Sequence, residues 1–132
     1  MNFDKQIGFN QQAFKEFILK EGIVGLFPEP RRLKSGRTSN WYVNWRNAAE
    51  DCFVMDKLTD HIIRFIRAHE LFPDCIYGVP EGATKTALIT TFKYAVECDE
   101  DFERGSHTLA MGRSQPKEHG DPKDKYFVGT PR

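Results

Sequence analysis

The chain has 132 residues, with 39% hydrophobic and 29% charged residues, and its 19 basic side chains equal its 19 acidic ones. This length suits one domain that buries roughly two-thirds of its unfolded surface. A net charge of zero gives no overall field that would attract nucleic acid or a membrane surface. No run approaches the ~18 apolar residues of a membrane span, and the N-terminus lacks the pattern of a secretory signal.

Three cysteines, Cys52, Cys75 and Cys98, are an odd set without close spacing. This pattern argues against a disulfide framework or a zinc site and for a reducing, cytoplasmic environment. We expect all three to be buried as small apolar side chains. His61 and His69 have no third ligand at metal spacing, so we expect them to be structural or exposed.

The first predicted element is an amphipathic helix over residues 10–21. Asn10 is a suitable N-cap, and Gly22 is placed to end the helix. Its apolar stripe predicts a core or subunit contact; the stripe consists of Ala13, Phe14, Phe17 and Ile18.

A basic segment follows over residues 29–50, in which no acid interrupts the cations Arg31, Arg32, Lys34, Arg37 and Arg46. The segments 33–34 and 41–45 resemble strands, and residues 35–40 are the turn between them. A basic hairpin with interleaved aromatics fits a phosphorylated small molecule, single-stranded nucleic acid or a subunit partner. The alternative is an exposed cationic edge that prevents aggregation.

Residues 51–70 have helical periodicity. One face is predicted to be apolar, with Met55, Leu58, Ile62, Phe65, Ile66 and His69. The opposite face is predicted to be polar, with Asp56, Lys57, Asp60, Arg64 and Arg67.

A strand, a turn and a helix are predicted next, at 75–79, 80–83 and 84–96, in the order that opens a βαβ unit. The helix should face inward through Ala87, Leu88, Thr91, Phe92 and Ala95. In such units ligands bind where helix N-termini point. Thr84 and Lys85 lie on the first helical turn, where a lysine opposes the helix dipole unless it serves an anion. A solvated lysine is the alternative.

The last feature is the stretch of residues 111–129, which begins at the end of a predicted strand at 107–111, continues as a polar run and ends in an apolar segment at 126–128. Pro116, Pro122, Gly112 and Gly120 lie between these flanks and exclude a helix or a central strand. We therefore expect a long exposed loop. Arg113, Lys117 and His119 suit a multiply charged anion that the loop covers during reaction. A solvated loop of mixed charge is the alternative.

Four segments together resemble orotate phosphoribosyltransferase, a type I phosphoribosyltransferase. They are Leu-Lys-Ser-Gly-Arg-Thr-Ser at 33–39, the aromatic strand to Asn44, Tyr-Gly-Val-Pro-Glu-Gly-Ala-Thr-Lys at 77–85, and Arg-Ser-Gln-Pro-Lys-Glu-His-Gly at 113–120. The resemblance covers the chain from about residue 10 onward and corresponds to the N-terminal half of the family's domain.

The resemblance implies a role for each of eight residues. Lys34 would contact the diphosphate or the pyrimidine carboxylate region, and Tyr42 and Val43 would lie beside the pyrimidine ring. Val43 replaces an aromatic residue of the family pattern. Thr84 and Lys85 would meet the phosphoribosyl diphosphate. Arg113 would bind the diphosphate, and Lys117 and His119 would act catalytically. All three would lie on a flexible loop that closes over the neighbouring subunit's site. Ser114 stands where many members have a further lysine.

The implied reaction transfers phosphoribosyl from 5-phosphoribosyl 1-diphosphate to orotate and gives orotidine 5′-monophosphate and diphosphate. Charge grows on the departing diphosphate, where cations and Mg²⁺ stabilise it. The Mg²⁺ would arrive with the diphosphate, and no protein metal ligand is expected. The implied protein is a cytoplasmic homodimer with shared active sites, and neither a membrane nor nucleic acid is expected as its partner.

The implied fold is α/β: a parallel sheet with flanking helices, preceded by a hood-like helix and hairpin. We expect one domain over 1–132, with the hood at 1–50 and the start of the core at 51–132. The family's paired acids and Gly/Thr-rich phosphate turn do not occur in this chain. We therefore expect a truncated, inactive piece of the enzyme rather than a natural half-domain.

Two other hypotheses remain open. In one, the chain is a regulatory module that binds nucleotide or RNA and catalyses no reaction. In the other, it is a structural dimerisation fragment built on the first helix and the hairpin.

Overall fold

A computed structural model describes residues 8–129 of the chain. Three helices and one two-stranded antiparallel sheet make a mixed α/β fold. The elements are α1 (Gln11–Lys20), β1 (Val24–Arg32), β2 (Thr38–Val43), α2 (Cys52–Ala68) and α3 (Thr84–Cys98), with short 3₁₀ helices at Asn47–Ala49 and Pro122–Asp124. None of the helices in this part of the chain has the length and apolar character that a bilayer crossing requires.

The helices α1 and α2 begin where the sequence predicts, because each has a side-chain cap. The carboxamide oxygen of Asn10 accepts a hydrogen bond of 2.9 Å from the backbone N–H of Ala13, and Asp51 accepts one of 2.9 Å from Val54. Gly22 follows α1 with a φ of 64°, a conformation that glycine adopts at little cost. These local signals confirm the two predicted helices.

The hairpin is present, but its first strand lies earlier than predicted. Leu33 and Lys34 belong to the turn, in which the N–H of Leu33 donates to the carbonyl of Arg37 at 2.7 Å. The register shifts between Leu26 and Arg31, because Pro28 and Pro30 lie within this part of β1 and lack an N–H for the ladder.

The first core cluster lies between α1, the hairpin and α2. Its most buried members are Ile23, Ala48 and Leu58, against which Phe14, Phe17, Ile18, Val54 and Ile62 pack. His61 contacts two of these aromatics, with centroid distances of 5.4 Å to Phe14 and 5.1 Å to Phe17. Its packing against these rings fits the expected structural role. Burial first, and then the charge of Arg64, lower the pKa of His61.

The second core cluster joins α2 to α3 through Ile63, Ile66 and Tyr94. The predicted face of α2 is only partly correct, because Ile63 is fully buried while Phe65 is 42% exposed. Since α2 packs against α1 on one side and α3 on the other, its buried face is wider than one apolar stripe. In α3 the prediction holds for Ala87, Thr91 and Ala95; Phe92 is exposed, and Thr90 and Tyr94 are buried in addition.

Asp60, which the sequence places on the polar face of α2, is only 5% exposed. Lys93 of α3 lies 2.5 Å from carboxylate oxygens of both Asp60 and Asp56. Burial lowers the pKa of Lys93, but its bonds to Asp56 and Asp60 outweigh burial and raise the pKa overall. This ion cluster therefore ties α2 to α3.

The predicted strands at 75–79 and 107–111 are not formed as strands, and the expected parallel sheet is absent from residues 8–129. A single parallel bridge joins Gly78 to Met111. The Thr91 hydroxyl accepts a hydrogen bond of 3.2 Å from the N–H of Ile76, a group that a neighbouring strand would otherwise pair. The 75–79 segment is therefore held by α3 rather than by a sheet, and Val79 is 70% exposed.

The cysteines also depart from expectation. Cys52 and Cys75 are exposed, and Cys98 is partly buried. Cys52 is exposed because it opens α2, and Cys75 is exposed because its segment has no sheet around it. Burial raises the pKa of the Cys98 thiol, so Cys98 is not an activated nucleophile.

Candidate functional site

The turn that enters α3 is the centre of the candidate site. The N–H of Ala83 donates to the carbonyl of Val79 at 3.2 Å, and the N–H of Thr84 donates to Glu81 at 3.3 Å. A Cβ at Gly78 would overlap the carbonyl oxygen of Ala83, so this close approach requires glycine. The turn thereby brings residues 81–86 to the surface between two concave regions.

The first region, which we call the polar groove, has a volume of about 570 Å³. The turn and α3 form one wall and the 111–129 loop forms the other; the lining residues are Glu81, Thr84, Lys85, Leu88, Met111, Gly112, Arg113, Ser114, Gln115 and Val128. Three of the eight predicted site residues meet here: Thr84, Lys85 and Arg113. Lys85 and Arg113 are the cations among the lining residues and Glu81 is the single acid, so the lining carries a net positive charge.

Lys85 and Thr84 differ in how their polar atoms are used. The ammonium of Lys85 donates a hydrogen bond of 2.9 Å to the carbonyl of Ala49, in the 3₁₀ helix that follows the hairpin. The hydroxyl of Thr84 is buried and has no hydrogen-bond partner within residues 8–129. Lys85 thus connects the hairpin region to α3, whereas the Thr84 hydroxyl keeps its bonding capacity.

The 111–129 loop is mostly exposed, as predicted, but its flanks pair only through single bridges. Arg113 closes the loop from inside, because its Nε donates to the carbonyls of Asp124 at 3.0 Å and Phe127 at 3.2 Å. The N–H of Lys117 donates to the carbonyl of Lys125 at 2.9 Å. The loop is therefore folded on itself, and Arg113 has a structural role besides any ligand contact.

The remaining predicted residues lie outside the polar groove. Lys117 and His119 are exposed on the loop, and the Lys117 side chain lies over Gly120. Lys34 is exposed in the hairpin turn. The ring of Tyr42 packs on Phe27 with a centroid distance of 4.8 Å, so it belongs to the hairpin's own packing.

Val43 lines the second concave region, which we call the aromatic pocket and which has a volume of about 610 Å³. Helices α1 and α2, the end of the hairpin and the other side of the 81–86 turn form its walls; the lining residues are Phe14, Val43, Asn44, Trp45, Arg46, Leu58, Ile62, Gly82, Ala83 and Thr86. The sequence included Arg46 only in the basic run and did not connect it with Gly82, which lies far along the chain.

The candidate site offers few protein ligands for a metal ion. Within residues 8–129, no group of three or more His, Cys, Asp or Glu side chains is placed to hold a metal ion. The polar groove offers the carboxylate of Glu81, and Mg²⁺ commonly binds through one or two carboxylates together with substrate phosphates. The donor set thus fits an Mg²⁺ ion that a phosphorylated ligand brings with it.

No protein-family model matches the chain, and no curated protein shows significant sequence similarity to it.

Proposed function

We propose that the chain belongs to an orotate phosphoribosyltransferase and that the polar groove binds the diphosphate of 5-phosphoribosyl 1-diphosphate. One observation carries the proposal: Thr84 and Lys85 lie in one groove with Arg113. These residues come from two of the four segments that resemble the family.

The groove's chemistry supports diphosphate as the ligand. Lys85 and Arg113 supply positive charge, and Thr84, on the first turn of α3, has a buried hydroxyl without a hydrogen-bond partner among residues 8–129. Mg²⁺, when bound, would neutralise further charge on the diphosphate, with Glu81 as its protein ligand. Negative charge grows on the diphosphate as it leaves the ribose, and fixed cations stabilise that charge most where water is excluded.

The loop supplies the remaining cations in this proposal. Lys117 and His119 are exposed and do not line their own chain's groove, so they are available to a neighbouring subunit's groove. A homodimer with shared sites uses them in this way. Lys34, which is exposed on the hairpin turn, would contact the same ligand.

The test is a transfer assay with the natural protein that carries this sequence. Orotate, 5-phosphoribosyl 1-diphosphate and Mg²⁺ are supplied, and orotidine 5′-monophosphate and diphosphate are measured. Equal amounts of both products are expected, and neither should form when Mg²⁺ is chelated. If diphosphate is absent while 5-phosphoribosyl 1-diphosphate still binds, the proposed reaction is wrong.

One observation favours a second candidate function, a nucleotide- or RNA-binding regulatory module. Trp41 is 60% exposed on the basic hairpin, and the guanidinium of Arg31 lies 4.5 Å from the centre of the Phe27 ring. Aromatic faces beside cations bind single-stranded nucleic acid. This function predicts binding of an oligoribonucleotide that weakens steeply with salt and releases no diphosphate.

A further inference from the structure

The walls of the aromatic pocket are mainly apolar and aromatic. Phe14 of α1 and Trp45 after β2 face each other with an interplanar angle of 14° and a centroid distance of 6.3 Å. Leu58 and Ile62 of α2 complete the apolar lining. The pocket's volume of about 610 Å³ lies within the range of small-molecule sites.

Arg46 is the only ionisable side chain among the residues that line this pocket. Its guanidinium lies near the backbone of Gly82, with two nitrogens 3.7 and 3.8 Å from where a Cβ would stand. Within residues 8–129 this guanidinium makes no salt bridge, and none of the side-chain hydrogen bonds uses it. A cation without a partner beside an apolar pocket favours an anionic ligand with an apolar body.

The other polar side chains of the pocket are already used or neutral. The amide of Asn44 donates to Asn47 at 2.8 Å, and its oxygen accepts from the N–H of Arg46 at 3.2 Å. These two bonds hold the backbone of Arg46 in place. The pocket therefore presents one cation, on a backbone that Asn44 holds in place, and no carboxylate.

We propose that the aromatic pocket binds a planar aromatic carboxylate and that Arg46 pairs with its carboxylate group and determines specificity for it. The identification of this ligand with orotate, the acceptor in the transfer, rests on the proposed function. The 81–86 turn separates this pocket from the polar groove, because Gly82, Ala83 and Thr86 line one and Glu81, Thr84 and Lys85 line the other. The acceptor and the diphosphate would thus lie on two sides of one turn.

The experiment uses the two tryptophans of the chain. In a Trp41→Phe variant, Trp45 is the single tryptophan, and its emission reports on the aromatic pocket. The 132-residue chain is titrated with orotate, with benzoate and with uracil, which lacks the carboxylate. Orotate and benzoate are expected to change the emission saturably, and uracil is expected to bind about tenfold more weakly or worse.

Variants at Arg46 test its role directly. Arg46→Gln is expected to weaken orotate binding about tenfold to a hundredfold and to leave uracil binding unchanged. Arg46→Lys should retain part of the affinity, because it keeps the charge but loses the planar fork. Arg104→Gln is the matched control, since Arg104 is exposed and lines neither the aromatic pocket nor the polar groove.

The inference is overturned if uracil binds as well as orotate, if no carboxylate changes the emission of Trp45, or if Arg46→Gln binds orotate like the parent. Its failure is separable from that of the proposed function. Binding of benzoate and orotate that depends on Arg46, without any transfer, supports the pocket and rejects the transferase. Transfer whose KM for orotate is unchanged in Arg46→Gln supports the transferase and rejects the role of Arg46.

Discussion

The hydroxyl of Ser114 donates a hydrogen bond of 2.8 Å to a carboxylate oxygen of Glu81. This bond joins the 111–129 loop to the turn that enters α3, across the polar groove. Glu81 is the one acid among the residues that line this groove, which also include Lys85 and Arg113. Glu81 thus has two possible effects on a bound diphosphate: it repels the anion directly, and it attracts an accompanying Mg²⁺ ion.

Glu81→Gln separates these two effects. Without Mg²⁺ the variant should bind inorganic diphosphate several-fold more tightly than the parent, because a negative charge has left the groove while the Ser114 bond can remain. With Mg²⁺ the gain should disappear or reverse, because the ion has lost a ligand. Isothermal titration calorimetry measures both affinities, with Glu118→Gln, an exposed acid on the same loop, as the control. Equal affinities for parent and variant under both conditions would exclude Glu81 from the site.

Arg113→Ala should loosen the 111–129 loop, because Arg113 holds the carbonyls of Asp124 and Phe127. Hydrogen bonds from a charged donor contribute about 1.5–3 kcal/mol, so amide exchange at Lys117 should accelerate about tenfold or more. Hydrogen exchange followed by NMR measures this. Lys123→Ala, which removes an exposed cation of the same loop, should leave the rate unchanged; an unchanged rate in Arg113→Ala as well would reject the structural role.

Lys117→Ala should reduce turnover of the natural protein far more than its stability. Lys117 is exposed, so its loss costs little folding free energy, whereas the loss of a cation that stabilises a leaving group typically costs about a hundredfold in rate. Steady-state kinetics and thermal melts measure the two quantities, and Lys123→Ala again serves as the control. Full turnover in Lys117→Ala would remove the loop from the mechanism.

Lys93→Met should destabilise the fold by about 3 kcal/mol, because Asp60 is left buried with Lys57, at 4.0 Å, as its remaining ion-pair partner. Adding Asp60→Asn to the same variant should restore much of the loss, because the buried charge is then removed. Urea unfolding measures both values. If the double variant is no more stable than Lys93→Met, the ion pair does not account for the loss.

The ionisation of Asp56 should make the free energy of unfolding depend on pH in the acid range. Its hydrogen bonds from Lys93, and then from Lys57, lower its pKa below the ordinary 3.8. The stabilisation is therefore fully present above pH 3.8, the ordinary pKa. It is lost as the pH falls through the lower pKa that Asp56 has in the folded protein. Asp56→Asn should be less stable than the parent at neutral pH, and urea unfolding should show this gap closing in acid. A gap that widens in acid would contradict the assignment.

The helices were predictable because their signals are local. Asn10 and Asp51 mark the starts of α1 and α2 within a few residues, and apolar periodicity supplies the rest. The 75–79 segment was not predictable in the same way, because a short apolar run becomes a strand only when neighbouring strands pair with it. Here the Thr91 side chain takes the backbone N–H of Ile76 instead.

The candidate site was likewise predictable where its signals are local and was missed where it depends on packing between distant segments. Thr84, Lys85 and Arg113 were named from the sequence, since the turn and the loop each have a recognisable pattern, and all three line the polar groove. The aromatic pocket was missed because Arg46 meets Gly82 only through the packing of the hairpin against the α3 turn. Likewise, the burial of Asp60 depends on Lys93, on a different helix.

Diphosphate binding mapped on the chain tests the central claim most directly. A ¹⁵N-labelled sample is titrated with inorganic diphosphate and Mg²⁺ while the backbone amide signals are followed by NMR. The largest shifts are predicted at Thr84, Lys85 and Arg113, the residues that line the polar groove together. Saturating shifts confined to the hairpin around Lys34, with none at these three residues, would contradict a diphosphate site between the α3 turn and the loop.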